Sequence, residues 1–451
     1  MPRVFPFRAI QFAGGLGDVS SLVAPPYDVL DADAKAALLA RDPRNIVAID
    51  LPHVPAKELG PDSAYKGAAE SLESLLGEGV LTQRDTPAMF AYRQSFRFRG
   101  EDYQRCGMAC TVETVPFGPR DGGGILPHEQ TFSGPKEDRM ALMRATGTQL
   151  SPIFGLHADE QGAATALLHK VMGSRPADMT ATTDDGVRHE VWTIDDDATL
   201  AAYSDALAGE DVFIADGHHR YTTGLNYLRS LEEKGAVPAD HPARRCMIVL
   251  VGMSDPGLAI GPTHRVLGGM SSYSVENFER AAGGILSIQP CDNDPSRIES
   301  EMEKFAKSLP DGRCVLGLMD LATGLCFVTT PADEDPLSDQ FPEKPEAWRK
   351  LDVAIIQHVI VDEICKPELN AGEDVRWAFP HSIQEVLDIA RGKETGAGGG
   401  KGFGQLAVIV RPTPLEAVKE ISRANELMPQ KSTFFYPKLA TGLFVNPLKA
   451  L

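Results

Sequence analysis

VFIADGHHRYTTGLNY, the stretch from Val212 to Tyr227, places an apolar run directly before a cluster of charged and polar residues. Val212 to Ile214 predict a buried strand, and a helix is predicted from about His218. Gly217 lies between them, where a residue without a Cβ lets the backbone turn and approach a ligand. A strand, a glycine and a helix in this order leave backbone N–H groups and the positive end of the helix dipole facing an anion. The stretch therefore predicts an α/β fold with a phosphate-binding turn.

The polar residues of this turn fit the same interpretation. Arg220, one turn into the helix, offers two parallel N–H donors to a phosphate. Asp216 is a helix cap, a metal ligand or a catalytic base, and the cap is the ordinary alternative. Adjacent side chains on a helix point about 100° apart, so we do not expect His218 and His219 to share a metal ion. We expect both histidines to contact the bound anion or substrate.

Outside this stretch, strands and helices alternate over much of the chain, and a β-hairpin is predicted around Gly100, Glu101 and Asp102. Alternation with a hairpin predicts an α/β (α+β) fold with mixed sheets. We predict two domains, residues 1–270 with the phosphate turn and residues 271–451, whose C-terminal tail packs back on the site. The glycine-rich tract from Gly392 to Gly404 is interpreted as a surface insertion.

The composition excludes several classes of function. With 44 Lys and Arg against 63 Asp and Glu residues, the formal charge is −19, which disfavours nucleic acid and anionic membranes as partners. The seven cysteines are scattered and odd in number, so we expect reduced thiols rather than a disulfide framework. No signal peptide is apparent, and no apolar run approaches the roughly 20 residues that cross a bilayer. We expect a cytoplasmic protein.

A second candidate site lies in LPHEQTFSGPKEDR. His128, Glu129 and Thr131 are predicted in a loop, where His and Glu serve as acid–base groups or metal ligands. Lys136 and Arg139 follow at the start of a predicted helix and share one face, so they are candidates for binding phosphate. The alternative for these two is an ordinary solvated helix face.

Two further segments add donors. PTHRVL contains His264 and Arg265 directly after a predicted strand. MPQKSTFFYPKLATGL contains a dense donor cluster near the C-terminus: Lys431, Ser432, Thr433, Tyr436 and Lys438. Lys431 to Thr433 lack the preceding glycines of a P-loop, and the GAGGGKG tract lacks the Ser or Thr that must follow Lys401. Several cations with one or two carboxylates, and no esterase or zinc spacing, are the residues that phosphoryl transfer uses.

Five motifs together resemble a known family. From about Phe5 to Leu443, the sequence is similar to the bacterial and archaeal family called domain of unknown function 1015, and the motifs follow one another in the same order. The motifs are APPYDVL, PHEQT with the following Lys and Asp-Arg and with SPIF, ADGHHRY, PTHRV and MPQKSTFFYPKLATGL. This family name carries no established activity.

The DGHHR run also resembles the Gly-x-x-Arg turn of the ParB/sulfiredoxin-like superfamily, which includes CTP-binding partition proteins, ATP-using sulfiredoxins and free-serine kinases. This resemblance implies a ParB/sulfiredoxin-like core, in which the turn from Gly217 to Arg220 holds nucleotide phosphates. It implies ATP, ADP or CTP as cofactor, with Mg²⁺. His218 and His219 stand where sulfiredoxins carry a catalytic Cys, so a sulfinic acid reductase is not expected.

The leading hypothesis is a nucleotide-dependent kinase for a small hydroxylated metabolite, with free serine as the named acceptor. In it, Arg220 holds phosphate, Lys431 or Lys136 offsets transition-state charge, and Asp216 or Glu129 accepts the hydroxyl proton or binds Mg²⁺. His128 is a further catalytic candidate. A non-catalytic nucleotide-binding switch and a metal-assisted phosphohydrolase remain as alternatives. The sequence does not fix the oligomeric state.

Overall fold

A computed structural model describes residues 3–13, 17–56, 58–129, 133–393 and 399–449, with the backbone alone for residues 133–135. Thr131 and residues 394–398 of the glycine tract lie outside the described residues.

The chain divides into two compact units. Unit 1 comprises residues 1–259 together with 435–451, and unit 2 comprises residues 260–434. These bounds differ from the predicted domains of 1–270 and 271–451. The difference at the first boundary arises because the strand Arg265–Gly268 pairs with strands of unit 2. Residues 435–451 belong to unit 1 rather than to the second domain, and within them Asn446–Pro447 pairs with Thr148–Gln149 of unit 1.

Unit 1 contains seven helices in its described part: α1 (Ala32–Arg41), α2 (Val47–Asp50), α3 (Asp62–Gly77), α4 (Ser133–Thr146), α5 (Ala163–Ser174), α6 (Asp197–Ala206) and α7 (His218–Glu232). Its strands are β1 (Val4–Phe5), β2 (Ile10–Phe12), β3 (Leu81–Gln83), β4 (Met89–Phe98), β5 (Glu101–Glu113), β6 (Ile125–Leu126), β7 (Thr148–Gln149), β8 (Ile153–His157), β9 (Met179–Thr182), β10 (Arg188–Ile194), β11 (Val212–Asp216) and β12 (Arg245–Gly252). Short 3₁₀ turns occupy Tyr27–Val29 and Pro242–Arg244.

The strand β13 (Ala259–Gly261) begins where the chain enters unit 2. The strands of unit 2 are β14 (Arg265–Gly268), β15 (Leu286–Pro290), β16 (Leu316–Asp320), β17 (Cys326–Pro331), β18 (Arg376–Ala378) and β19 (Gly404–Ile409). Its helices are α8 (Val275–Ala281), α9 (Ile298–Ala306), α10 (Glu346–Arg349), α11 (Asp352–Ile355), which continues as a π-helix over Ile356–Leu369, α12 (Ile383–Ala390) and α13 (Leu415–Arg423). A 3₁₀ turn covers Pro295–Arg297, and β20 (Phe434–Tyr436) and β21 (Asn446–Pro447) follow.

The main sheet of unit 1 has the strand order β6-β11-β8-β12-β5-β4-β10-β9, and β1 pairs with β5. β11 runs parallel to β6 but antiparallel to β8, while β12 runs parallel to β8 and antiparallel to β5. The predicted hairpin is β4 and β5. In unit 2 the order β15-β17-β16-β19-β14-β18 is antiparallel throughout. The predicted α+β fold with mixed sheets is confirmed, whereas the ParB/sulfiredoxin-like core stays a prediction.

The core of unit 1 forms where the central strands are covered by helices. All residues of β5 from Arg105 to Val112 are buried. Buried and exposed residues therefore do not alternate along this part of the strand, as they would if one face of the sheet met solvent. β11 is likewise buried from Val212 to Ala215 and becomes half-buried only at Asp216. The sheet therefore places Asp216, the first polar residue of the turn, at the end of a buried strand.

Candidate functional site

The predicted turn forms as a tight connection between β11 and α7. Gly217 adopts φ +92°, in the left-handed region that glycine favours, and no side chain caps the helix. A Cβ at Gly217 would lie 2.9 Å from Nε of Arg220. The glycine is therefore required twice, for the backbone conformation and for the guanidinium that lies against the turn.

Asp216 holds two cations at this turn. Its Oδ2 accepts a hydrogen bond from Nη2 of Arg220, and its Oδ1 accepts one of 2.9 Å from Nζ of Lys438. Nη1 of Arg220 donates to the carbonyl oxygen of Pro152. One carboxylate thus faces two positive charges, and the Arg220 guanidinium is fixed at both ends.

This cluster is shielded but can be reached from solvent. The side chains of Arg220, Asp216 and Lys438 are 9%, 20% and 24% exposed. Burial on its own would raise the pKa of Asp216, but Lys438 and Arg220 outweigh it and hold that pKa well below the usual range. Asp216 is therefore ionised and a poor proton acceptor, so the geometry favours an anchoring role over the predicted role of base.

For Arg139, the alternative to phosphate binding was an ordinary solvated face of the helix. Arg139 is instead buried in α4. Its Nη1 donates to the carbonyl oxygen of Asp50 at 2.6 Å and lies 3.3 Å from Oδ1 of Asp50. The guanidinium lies over the ring of Tyr27, 3.9 Å from its centroid, and Ser151 donates to Oδ2 of Asp50 at 2.8 Å. Burial would lower the pKa of Arg139, but Asp50 and Asp138 reverse the shift and raise it.

A second buried carboxylate supports Arg139. Asp138 accepts hydrogen bonds of 2.8 Å from Tyr65 and from Nε2 of His53, and one of 2.7 Å from Nε of Arg139. Burial, together with Asp138, raises the pKa of Tyr65 to about 12. Sequence reasoning did not single out His53, Tyr65 or Asp138 as site residues, because each comes from a different segment.

A cavity of about 40 Å³ lies between the two arginines and is lined by Tyr27, Asp50, Arg139, Ser151 and Arg220 among others. Its volume has room for a few water molecules. Next to Tyr27, the Oδ1 atom of Asp28 is buried and has no hydrogen-bond partner. Asp28 also acts electrostatically on Arg220, since it is among the acids that offset burial and raise the pKa of that group. Asp28 thus has a buried acceptor oxygen and lies close enough to act on Arg220.

The two predicted histidines His128 and His218 contact each other. Their rings meet edge to face with centroids 4.7 Å apart, and Nε2 of His218 accepts the His128 backbone N–H at 3.3 Å. Burial lowers the pKa of both imidazoles, and the charge of His128 lowers that of His218 further. Both are neutral near pH 7. Oε1 of Glu129 lies 3.7 Å from Nε2 of His128.

His219 and Lys136 have less defined positions in the site. His219 is half-buried in the first turn of α7, and its carbonyl oxygen accepts a hydrogen bond from Thr223. Lys136 is half-exposed on α4, three residues before Arg139. Their predicted roles in binding phosphate stay predictions.

The remaining predicted site residues belong to unit 2. His264 donates its N–H to the carbonyl oxygen of Pro380 at 2.8 Å, and its Nδ1 accepts from Val410 at 3.2 Å. Arg265 is buried and donates to carbonyl oxygens that include those of Thr263, Gln430 and Lys431.

The segment after Gln430 shows the same structural bonding. The hydroxyl of Ser432 donates to the carbonyl oxygen of Pro429, and its own carbonyl oxygen accepts from Thr413 at 2.6 Å. Lys431 is exposed with φ +59°, and Thr433 is half-buried beside Ser432. Their predicted roles in nucleotide binding, like those of His264 and Arg265, stay predictions.

The motifs that meet in unit 1 are those from APPYDVL, PHEQT, SPIF, ADGHHRY and the last part of the C-terminal motif. Their contributions are Tyr27 and Asp28, His128 and Arg139, Ser151 and Pro152, Asp216 and Arg220, and Lys438. Lys438 was one of several donors in its segment, and nothing in the sequence distinguishes it from Lys431. The signal that could have found Asp28 is its place in the APPYDVL motif.

Among the described residues, Cys106, His169 and Asp255 form a cluster that could bind a metal ion, with ligand atoms within 4.8 Å of one another. None of these is a predicted site residue. The cluster was invisible in the sequence because its members lie far apart along the chain. Among the described residues, no helix is long and apolar enough to cross a bilayer.

The solved structures that match this chain share little sequence with it and have low TM-scores. A conserved hypothetical protein from Pyrococcus furiosus is 15% identical, with a TM-score of 0.31, over 71% of this chain and 93% of that chain. A free serine kinase in complex with AMP is 14% identical, with a TM-score of 0.32, over 71% and 89%. SbnI from Staphylococcus aureus, truncated at its C-terminus, is 10% identical, with a TM-score of 0.31, over 71% and 83%.

The sequence itself matches no curated protein. It does match a family model, that of a protein of unknown function, DUF1015, over residues 4–354. This match covers more than half of the 451 residues. On this basis, the chain belongs to the DUF1015 family.

Proposed function

We propose that unit 1 is a nucleotide-dependent phosphotransferase that acts on a small hydroxylated metabolite. The observation that carries the proposal is the Asp216 carboxylate, which holds Arg220 and Lys438 together at a glycine turn before a helix. Cations, backbone N–H groups and a helix N-terminus in one place are the groups that bind phosphate and stabilise its transfer.

The two cations of the turn are held by a group that a phosphate can replace. Arg220 and Lys438 both contact the carboxylate of Asp216, so an incoming phosphate can compete with that carboxylate for them. Lys438 retains enough exposure to move from Asp216 to an incoming phosphate oxygen. Arg220 is held by Pro152 and Asp216, so its remaining N–H edge is presented in a fixed orientation, which limits the entropy lost on binding.

Asp28 is our candidate for the group that accepts the proton of the acceptor hydroxyl. Its Oδ1 is buried and without a hydrogen-bond partner, while both oxygens of Asp216 are held by cations. A base must have an oxygen available within hydrogen-bond reach of the reacting hydroxyl. Glu129, beside His128, is the other candidate, and the neutral imidazoles of His128 and His218 supply hydrogen bonds rather than charge.

The residues fit a nucleotide with Mg²⁺. Arg220, Lys438 and the amides at the start of α7 would hold the phosphates, and whichever of Asp28 and Glu129 does not accept the proton would contribute a carboxylate oxygen to the metal. Mg²⁺ is usually bound by one or two carboxylates together with substrate phosphates, and it neutralises charge that develops on the transferred group. Serine is the first acceptor to test, because the DGHHR run resembles that of free-serine kinases.

The test is incubation of the purified full chain with ATP, ADP or CTP, Mg²⁺ and a panel of hydroxylated amino acids and sugars, followed by ³¹P NMR. A phosphorylated acceptor supports the proposal. Free phosphate alone would show a phosphohydrolase, and nucleotide binding without turnover would show a switch. Either result contradicts the phosphotransferase.

Variants of the two candidate bases separate their roles. Asp28→Asn keeps the size of the side chain and should lower kcat by about 100-fold or more if Asp28 accepts the proton. Glu129→Gln is the matched variant. An unchanged kcat in Asp28→Asn with a large loss in Glu129→Gln would transfer the role to Glu129.

A further inference from the structure

A groove of about 460 Å³ on unit 1 lies apart from the small cavity, with different lining residues. Its volume is in the range of small-molecule sites. Its cationic side chains are Arg8, Arg245 and Lys449, and His241 lies among them. Asp240 is the acidic residue of the lining. A chain with a formal charge of −19 thus places a positive cluster around one concave surface.

The cations of the groove are only partly neutralised by the described residues. In the described part of the chain, no carboxylate lies within ion-pairing distance of Arg8, Arg245 or Lys449. Burial and the nearby charge of Arg3 lower the pKa of Arg245, and Asp240 and Glu113 offset this only in part. Like charges in a concave surface repel each other, so an anion bound there would relieve an unfavourable interaction.

Arg245 is preorganised to receive such an anion. Its guanidinium lies over the ring of Phe5, 3.9 Å from the centroid, which fixes its plane and leaves its N–H edge for hydrogen bonds. Nδ1 of His241 accepts the Ala243 N–H at 3.1 Å, so the proton of the neutral ring is on Nε2, which is a donor. Proline rings of the lining, including Pro87 and Pro242, add an apolar wall.

We propose that this groove is a second ligand site, specific for a small organic dianion. Arg245 would bind the anionic group in a bidentate manner, Arg8 and Lys449 would neutralise the second charge, and the proline wall would contact the apolar part. A phosphate ester and a dicarboxylate share this chemistry.

The groove and the small cavity are connected by one short ladder. β21 contributes Asn446 to the groove, and β7 contributes Gln149 to the cavity. Nδ2 of Asn446 donates to Oε1 of Gln149 at 3.0 Å, and Nε2 of Gln149 donates to the carbonyl oxygen of Arg245 at 3.4 Å.

Because an anion could also bind at the turn from Gly217 to Arg220, the test must be made with that turn disabled.

The experiment is calorimetric titration of the full chain, in the Arg220→Ala background and at low salt, with glycerol 3-phosphate and with succinate. We expect saturable binding of at least one probe, weakened about tenfold or more by the double change Arg8→Ala with Lys449→Ala. Both side chains are exposed, so the fold should be retained. Lys170→Ala, an exposed lysine on α5, is the control and should leave the affinity unchanged.

The two probes distinguish a phosphate ester from a dicarboxylate as the ligand class. Absence of saturable binding by both probes would overturn the second site, as would equal affinities in the double variant and in Lys170→Ala. Because Arg220 is already removed, these outcomes are independent of the proposed phosphotransferase. That function is tested by turnover in the unmodified chain.

Discussion

Two His-Arg pairs in this chain look alike in sequence and differ in structure. His219–Arg220 follows β11 in unit 1, and His264–Arg265 leads into β14 in unit 2. Both arginines are largely buried. Arg220 is bonded to a carboxylate that also holds Lys438, and it lines the small cavity. Arg265 donates to backbone carbonyls of its own unit, and its guanidinium lies 5.1 Å from the centroid of the Phe379 ring.

The difference shows that the partners of an arginine, rather than its sequence neighbours, indicate its role. A guanidinium surrounded by ionisable groups beside a cavity can exchange one anionic partner for another. A guanidinium that satisfies several carbonyl oxygens fixes loop segments to each other and contributes to stability. We therefore expect changes at Arg220 to affect ligand binding most, and changes at Arg265 to affect stability most.

The largest expected effect is on nucleotide affinity in Arg220→Ala. Loss of a buried, hydrogen-bonded charge costs about 2–5 kcal/mol, which corresponds to a decrease in affinity of roughly 30-fold to several thousand-fold. Arg229→Ala, an exposed arginine in the last turn of the same helix, is the control and should bind like the unmodified chain. Calorimetric titration with ADP measures both. Equal ADP affinities of Arg220→Ala and Arg229→Ala would contradict a ligand-binding role for Arg220.

Arg265→Ala should destabilise unit 2 without changing nucleotide affinity. The change leaves the carbonyl oxygen of the buried Thr263 without this donor, so we expect the free energy of unfolding to fall by about 1–3 kcal/mol. Arg391→Ala, an exposed arginine of unit 2, is the matched control and should have little effect. Thermal unfolding and ADP titration are measured side by side. A variant that keeps its stability and loses ADP would assign Arg265 to ligand binding.

Gly217→Ala separates the backbone requirement of the turn from its contact with Arg220. The left-handed conformation costs an alanine about 1–2 kcal/mol, and the new Cβ would also displace the guanidinium. Gly209→Ala has a similar φ of +83° with no atom within 4 Å, so it carries the backbone cost alone. We expect similar losses of stability in both variants and weaker ADP binding only in Gly217→Ala. Unchanged ADP binding in that variant would show that the close contact has no role.

The smallest expected effect is on the pH dependence of stability. His218 has its pKa lowered by burial, so below about pH 6.5 the unfolded chain binds a proton that the folded chain does not. The contribution of His218 to the free energy of unfolding is fully present above that pH. Below it, the free energy of unfolding falls by about 1.4 kcal/mol for each pH unit. Denaturant unfolding between pH 8 and pH 5 should therefore show a shallower decline in His218→Asn. Parallel profiles would mean that His218 is protonated in the folded chain.

The elements with strong patterns were predictable, and a weak one was not. The apolar run before Asp216 predicts β11, which forms. The edge strand β15, Leu286–Pro290, has no comparable pattern, because it is mostly exposed, ends in proline and depends on pairing with β17.

The site was predictable at the turn but not around it. Residues from Asp216 to Arg220 are contiguous, so their relation follows from local backbone geometry. The partners Lys438, Asp28 and Asp50 come from distant segments, and only tertiary packing brings them to the turn. The choice between Lys431 and Lys438 likewise depends on which unit each residue joins.

The most direct test of the account is a crystal structure of the full chain with ADP. We predict a phosphate group within hydrogen-bonding distance of the Arg220 guanidinium and of the backbone N–H groups at the start of α7, with Lys438 moved toward it. Phosphates bound elsewhere, with Arg220 and Lys438 both still on Asp216, would contradict the central claim that this turn is the phosphate site.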